Sequence, residues 1–255
     1  MLPSILCYHK IEPRAELGVT RLAPRRFALQ IERLAKAGWK TLTLAEIIAC
    51  AKGERVAGER ELAITFDDAY RGLREHAFPV LEAHGFGAVC FVITDYAGRL
   101  NRWDVAYGGR RFAHLAWRDI ERSSARGIEF ASHTATHARL TWLDDRAAMD
   151  DLVSARATLE RALGAPCVAL SYPFGAAGPR EFALAREAGY TAGFTLVRPW
   201  AGDAMAIPRT PIYVWSPPTP AVSWLGPIER WGAAGANRFA VGTSIIQRSS
   251  IAPHA

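Results

Sequence analysis

Short apolar runs and amphipathic stretches take turns along the whole chain. Runs of strand length lie at 4–9, 39–42, 61–66, 88–93, 128–131, 167–171, 191–196 and 206–209. Between them, apolar positions recur at helical spacing. Phe27, Ile31 and Leu34 predict a helix over 25–37, and Leu73, Ala77, Val80, Leu81 and His84 mark one over 70–84. Pro79 lies inside the second pattern and must bend or split it. Further helices are expected at 43–52, 115–125, 144–163 and 179–188. Gly38, Gly85, Gly164 and Gly189 each stand where a helix would stop. Thr43 with Glu46 three residues on has the form of a capping box. Strand alternating with helix predicts an α/β fold on a parallel sheet, either a barrel or a doubly wound sheet. A long loop over 94–112 and a Pro/Trp/Gly-containing tail over 215–255 interrupt the alternation, so the chain divides into a barrel over 1–214 and an irregular tail.

Polar chemistry gathers at the ends of three of these runs. Leu62 to Phe66 leads into Asp67 and Asp68; the run 128–131 leads into His133 and His137; the run 167–171 leads into Pro173, Phe174 and Gly175. In α/β barrels the site lies at the carboxyl ends of the strands, so three such ends favour a barrel. Neighbouring residues on a strand face opposite ways, so one aspartate is free to hold a metal while the other handles a proton. The structural alternative is that the pair caps the helix over 70–84. His133 and His137 stand at i and i+4, a spacing that brings two imidazoles together on one helix face or in a tight turn. With Asp68 they give two nitrogens and one oxygen, a set suited to zinc or a similar divalent ion with open positions. Asp67 remains as a general base.

Composition narrows the partners. The 255 residues are half hydrophobic and carry a formal charge of +6. The arginines are spread singly or in pairs such as Arg25-Arg26, with no basic run, so nucleic acid is not an expected partner. Cys7, Cys50, Cys90 and Cys167 are far apart and form no CxxC pair, which predicts buried free thiols. No apolar segment is long enough to span a bilayer, and the first ten residues lack a basic region and a cleavage site, so they read as a first strand and the protein as cytoplasmic.

The motifs resemble those of the polysaccharide deacetylases, the NodB-homology carbohydrate esterases. Their T-F-D-D motif is matched at Thr65 to Asp68 and their H-S/T-x-x-H motif at His133 to His137. The resemblance covers roughly 4–210. It implies a distorted (β/α)7 barrel that removes acetyl groups from N-acetylated sugars, with Asp68, His133 and His137 as metal ligands and Asp67 as general base. The metal it implies is Zn2+, with Co2+ or Ni2+ as alternatives. The third motif, R-x-P-Y in the family, departs from the pattern: Ser171-Tyr172-Pro173-Phe174 has serine where the arginine should stand. The Phe174 N–H is the expected oxyanion donor, and Arg209 is the candidate to replace the missing arginine behind Asp67. No late Leu-x-His stretch supplies the acid. Cys7-Tyr8-His9 resembles instead the amino-terminal Y-H of the poly-N-acetylglucosamine deacetylase branch, whose barrel is circularly permuted, and this makes His9 the candidate general acid.

The leading expectation is therefore a metal-dependent sugar N-deacetylase acting on a poly-, oligo- or lipid-linked saccharide, the last of which would bring peripheral membrane contact. A deformylase or amidase acting on a small or lipid-linked substrate is one alternative, and an inactive carbohydrate-binding barrel is another. Asn101, Trp103 and Asp104 are candidate sugar contacts. Trp200, Trp215, Trp224 and Trp231 are candidates for a groove, packing or an interface. His76, His84 and His114 are expected to be structural.

Overall fold

The computed structural model describes residues 2–14, 18–102, 111–196 and 202–216. In chain order its elements are β1 (Ser4–Tyr8), the short strands β2 (Lys10–Ile11) and β3 (Arg21–Leu22), α1 (Pro24–Lys36), β4 (Lys40–Thr41), α2 (Leu44–Ala51), β5 (Glu61–Phe66), α3 (Gly72–His76), α4 (Phe78–Ala83) and β6 (Ala88–Val92). There follow α5 (Trp117–Ser124), β7 (Ile128–Ser132), α6 (Asp145–Leu163), β8 (Ala169–Ser171), α7 (Pro179–Glu187), β9 (Ala192–Leu196) and β10 (Ile207–Pro211).

β1 pairs in parallel with both β5 and β10, and the sheet runs on through β9, β8, β7 and β6 back to β5. This closes a seven-stranded parallel barrel, as expected. β1 occupies one edge of β5 over its length, with Ser4 opposite Leu62 and Tyr8 opposite Phe66. On the other edge β4 pairs with Glu61 and Leu62 and β6 with Thr65 and Phe66, so β4 covers the stretch that β6 leaves open.

Strand alternation sorts the residues into two cores. The inward set includes Ile5, Ala63, Val89, Phe91, Ala131, Ala169, Ala192, Phe194 and Ile207, closed off by Leu42, Leu44, Ile47 and Ile48 from β4 and α2. The outward set packs against the helices, with Leu6, Ile64, Cys90, Phe130 and Leu170 meeting Phe27, Ile31, Leu34, Leu73, Leu81, Ile120, Leu152 and Leu159. Two residues further along the inward columns the apolar side chains give way to polar ones: Ala63 leads through Thr65 to Asp67, Ala131 to His133, Ala169 to Ser171 and Ile207 to Arg209. The same period-two pattern that fills the barrel therefore delivers the chemistry to its carboxyl end.

Local signals set the helix ends. Thr43 and Glu46 form the expected capping box on α2, Asp144 caps α6 by accepting from Ala147 N–H, and Gly164 ends α6 at φ 64. Pro79 splits the expected 70–84 helix into α3 and α4, with the break at Ala77. The capping alternative for Asp67 and Asp68 does not hold. α3 starts only at Gly72 behind Arg71, because the chain turns through positive φ at Asp68 and Ala69. β2 and β3 are short strands beyond those expected, and β8 begins two residues later than its apolar run. All four cysteines are buried free thiols. Among the described residues no helix is long and apolar enough to cross a membrane. Trp103, Asp104, Trp200, Trp224 and Trp231 lie outside the described residues, as does the tail beyond Ser216.

Candidate active site

β5 carries Asp67 and Asp68 to the mouth of the barrel, both buried. The left-handed backbone at Asp68 (φ 68) and Ala69 (φ 52) turns the second carboxylate toward the β7 loop. Asp68 Oδ1 lies 3.4 Å from His133 Nε2 and 3.5 Å from His137 Nε2. The two histidines converge through a tight turn after β7, not along a helix. Thr134 (φ 66) and His137 (φ 61) take left-handed backbone within that turn, and the Thr134 hydroxyl accepts from His137 N–H at 3.1 Å. Among the described residues, all five non-glycine residues at positive φ (Asp68, Ala69, Thr134, His137 and Phe174) belong to this mouth. Left-handed backbone costs about 1–2 kcal/mol per residue, so strain is concentrated where the side chains must converge.

The donor set fits a divalent ion. The ligand atoms of Asp68, His133 and His137 all lie within 4.8 Å of one another. A tetrahedral ion with bonds of about 2.1 Å separates its ligand atoms by roughly 3.4 Å, close to the two distances measured from Asp68. His133 Nδ1–H donates to the Ser171 carbonyl at 2.8 Å, which leaves Nε2 as a lone pair facing Asp68. Asp68 Oδ1 is buried and accepts no well-formed hydrogen bond among the described residues, as expected of an oxygen with an ion for a partner.

Asp67 has a different setting. Arg209 from β10 grips it with both guanidinium nitrogens, Nη1 to Oδ1 at 2.7 Å and Nη2 to Oδ2 at 2.8 Å. Nη2 also donates to Ser171 Oγ at 2.7 Å, and that hydroxyl lies 3.3 Å from Asp67 Oδ2. The guanidinium is fully buried between Phe91 and Phe194, its carbon 5.2 and 5.8 Å from the ring centroids. Serine at 171 thus leaves room for an arginine that arrives from two strands away. Burial works to raise the Asp67 carboxyl, but Arg209, His133 and His9 overcome it and hold the group far below the usual carboxylate range. For Asp68 burial is likewise overcome, by His133 and His137, and the group is held at about 2.

His9 follows β1 at the same mouth. One of its ring nitrogens, an Asp67 oxygen and Cys7 Sγ lie within 4.8 Å of one another. Burial lowers the His9 pKa against the pull of Asp67 and Asp68, so the imidazole is held neutral more readily than in water. Arg209 saturates Asp67 and burial pushes the Cys7 thiol up, so these three groups suit a second ion site less well than Asp68, His133 and His137 do. Phe174, at φ 61 in the turn after β8, sets its ring 4.8 Å from that of His137. Its N–H reaches no backbone carbonyl among the described residues.

All seven residues singled out from the sequence therefore meet at one barrel mouth. Asn101 does not face it as a sugar contact: it is buried, and its side-chain oxygen accepts from Phe112 N–H at 2.7 Å. His76 and His84 stay on the helical surface. His114 is buried beneath the site, with Nδ1 2.6 Å from the Asp68 carbonyl. Asp151 was not anticipated. From α6 it accepts from Ala135 N–H, Thr136 N–H and Thr136 Oγ1–H, so it clamps the turn between the two histidines. The signal was present, since Asp151 sits on the buried stripe of α6 with Ala148, Leu152, Ala155 and Leu159.

Known proteins resemble this chain in sequence and in fold. The polysaccharide deacetylase family model matches residues 54–193, a stretch that holds Asp67, Asp68, His133, His137 and Phe174 and leaves out His9 and Arg209. YxkH of Bacillus subtilis, a protein named as a polysaccharide deacetylase, is 26% identical over 191 residues, 75% of this chain and 63% of that protein. The poly-beta-1,6-N-acetyl-D-glucosamine N-deacetylase of Escherichia coli K12 is 27% identical over 137 residues, 51% of this chain and 20% of its own length. The chain thus spans less than two thirds of either relative. The Streptococcus pyogenes deacetylase PplD, solved in complex with acetate, has the same fold with a TM-score of 0.76 at 20% identity, over 89% of this chain and 99% of that one. With the family match covering more than half of its residues, this chain belongs to the polysaccharide deacetylase family.

Proposed function

We propose that the protein is a metal-dependent N-deacetylase that releases acetate from an N-acetylated amino sugar within a poly-, oligo- or lipid-linked saccharide. The observation that carries this reading is the division between the two adjacent carboxylates. Asp68 faces His133 and His137, and Asp67 faces Arg209 and His9. The E. coli relative named for poly-N-acetylglucosamine supports the sugar class.

In this mechanism Asp68, His133 and His137 hold the ion, with Zn2+ first and Co2+ or Ni2+ as substitutes. A bound divalent ion supplies Lewis-acid polarisation of the acetamide carbonyl and eases deprotonation of the attacking water. Asp67, kept ionised by Arg209, accepts the proton of that water. The Phe174 N–H donates to the oxygen on which negative charge develops. His9, which must carry the imidazolium proton at this stage, gives it to the sugar nitrogen as the C–N bond breaks, which leaves the free amine and acetate. Arg209 and Ser171 hold the base in one orientation throughout.

The test is acetate release from N-acetylglucosamine oligomers and lipid-linked N-acetyl sugars after stripping the protein and restoring zinc, cobalt or nickel. Wild type releases acetate from at least one of them, and Asp67→Asn lowers the rate by a factor of about 100 or more while still binding metal. An unaffected Asp67→Asn variant, or His133→Ala protein that binds metal as well as wild type, defeats the assignment.

A further inference from the structure

A cavity of about 600 Å³ opens beside the metal-site turn, lined by Asp95, Tyr96, Arg99, Leu100, Arg102 and Thr136. We propose that it is a subsite for an anionic sugar, one bearing a carboxylate or a phosphate, next to the N-acetylated residue in the substrate. The proposal rests on the saccharide-deacetylase reading of the central site.

The placement comes first. Thr136 stands between His133 and His137, and the segment that carries the opposite wall is hydrogen-bonded to the same turn. Asp95 N–H donates to the Ala135 carbonyl at 3.0 Å and Thr94 N–H to the Thr134 carbonyl at 3.2 Å. A ligand in the cavity therefore lies against the loop that presents the histidines, where a polymer's neighbouring ring would run. The volume falls in the range of roughly 300–1,000 Å³ that small-ligand sites occupy.

The charge then names the ligand. Two arginines line the cavity against a single acid, Asp95. Among the described residues neither Arg99 nor Arg102 is engaged in an ion pair, whereas Arg55, Arg74, Arg180 and Arg209 each meet a carboxylate within 2.9 Å. The backbone of Arg99 and of Asn101, the neighbour of Arg102, is held in place. Arg99 N–H donates to Tyr96 O at 2.8 Å, Arg99 O accepts from His114 N–H at 2.9 Å, and Asn101 N–H donates to Phe112 O at 2.8 Å. Two unused guanidinium forks on a fixed arch match the planar, multi-oxygen face of a carboxylate or phosphate. The half-buried Tyr96 phenol lies within electrostatic reach of Asp95, Arg102, Arg99 and Arg111, and its ring adds an apolar face for a pyranose.

Binding is measured by calorimetry on zinc-loaded Asp67→Asn protein, so that turnover does not consume the probe. The probes are a neutral N-acetylglucosamine tetramer, a tetramer alternating N-acetylglucosamine with glucuronate, and a phosphorylated N-acetylglucosamine oligomer. At least one anionic probe binds roughly tenfold tighter than the neutral one at low salt, and the advantage shrinks as salt is added. Which anionic probe gains decides between carboxylate and phosphate. Adding Arg99→Gln and Arg102→Gln abolishes the advantage, and Arg99→Glu with Arg102→Glu reverses it. Equal binding of all probes, failure of both anionic probes to bind, or an advantage that survives the double substitution overturns the subsite. If wild type instead releases no acetate from any probe, the hydrolase reading falls, and the binding comparison still judges the cavity.

Discussion

Asp67 and Asp68 share one strand end and differ in their surroundings, and each difference traces to a residue far away in sequence. Asp68 acquires two imidazoles from the β7 turn, and Asp67 acquires a guanidinium from β10. The T-F-D-D and H-T-A-T-H stretches were legible because each is local and follows an apolar run. The Arg209 contact was legible only as a candidate, since 142 positions separate it from Asp67 and only barrel closure brings them together. Removing one partner of a buried ion pair strands the other. Arg209→Met should therefore cost about 3–5 kcal/mol in denaturant unfolding and most of the activity. Arg209→Lys keeps the charge without the fork and should retain more stability than Arg209→Met. A second change tests the turn after β8. Gly175 has φ 61, and a Cβ there would lie 2.7 Å from Leu196 Cβ and 2.8 Å from Leu196 N. Gly175→Ala must shift backbone and should destabilise by roughly 1–3 kcal/mol, with lowered acetate release because Phe174 moves with it.

At the scale of the elements, the helices were read with ends nearly as observed because their signals are local. The capping box of α2 makes this testable. Thr43 accepts from Glu46 N–H at 3.3 Å, and Glu46 accepts from Thr43 N–H at 2.9 Å. Thr43→Ala should cost about 1 kcal/mol. The Thr43 N–H and the Thr43 hydroxyl, which donates to the same carboxylate at 3.0 Å, hold the Glu46 carboxyl below its ordinary value, and Thr43→Ala removes the hydroxyl's share. A depressed folded-state pKa gives stability that is present above the unfolded pKa and lost as pH falls through the folded one. The difference between wild type and Thr43→Ala should therefore narrow as the pH drops below the usual carboxylate range, as unfolding curves at several pH values would show. The β7 turn was less legible, because its shape depends on Asp151 from another element. Asp151→Ala leaves the buried Ala135 N–H without its acceptor and loosens the spacing of His133 and His137. The expected result is metal affinity weaker by about 10–100-fold, read by competition with a coloured chelator.

For the molecule as a whole, the barrel can be read as a stack whose lower layers are apolar and whose top layer is polar. Ile5, Ala63, Ala131, Ala169 and Ile207 pack the interior, and the next inward positions are polar or catalytic candidates. The parallel alternation announced the layers, but closure through β1 between β5 and β10 is a non-local pairing that no periodicity encodes. Closure also sets the energetic consequence of an ion at the top. Asp68 follows β5 and the two histidines follow β7, so a bound ion would tie together two strand ends that β6 separates. An ion that binds the folded state alone adds RT ln(1 + [L]/Kd), about 2.7 kcal/mol when its concentration is 100 times Kd. In a chain of this size that raises the melting temperature by roughly 5–10 °C. Zinc added to stripped wild type should produce that rise. In His133→Ala and Asp68→Asn, each compared with its own metal-free melting point, the rise should fall to a degree or two. Melting curves for the three proteins with and without zinc provide the check, and an equal rise in all three would place the ion elsewhere.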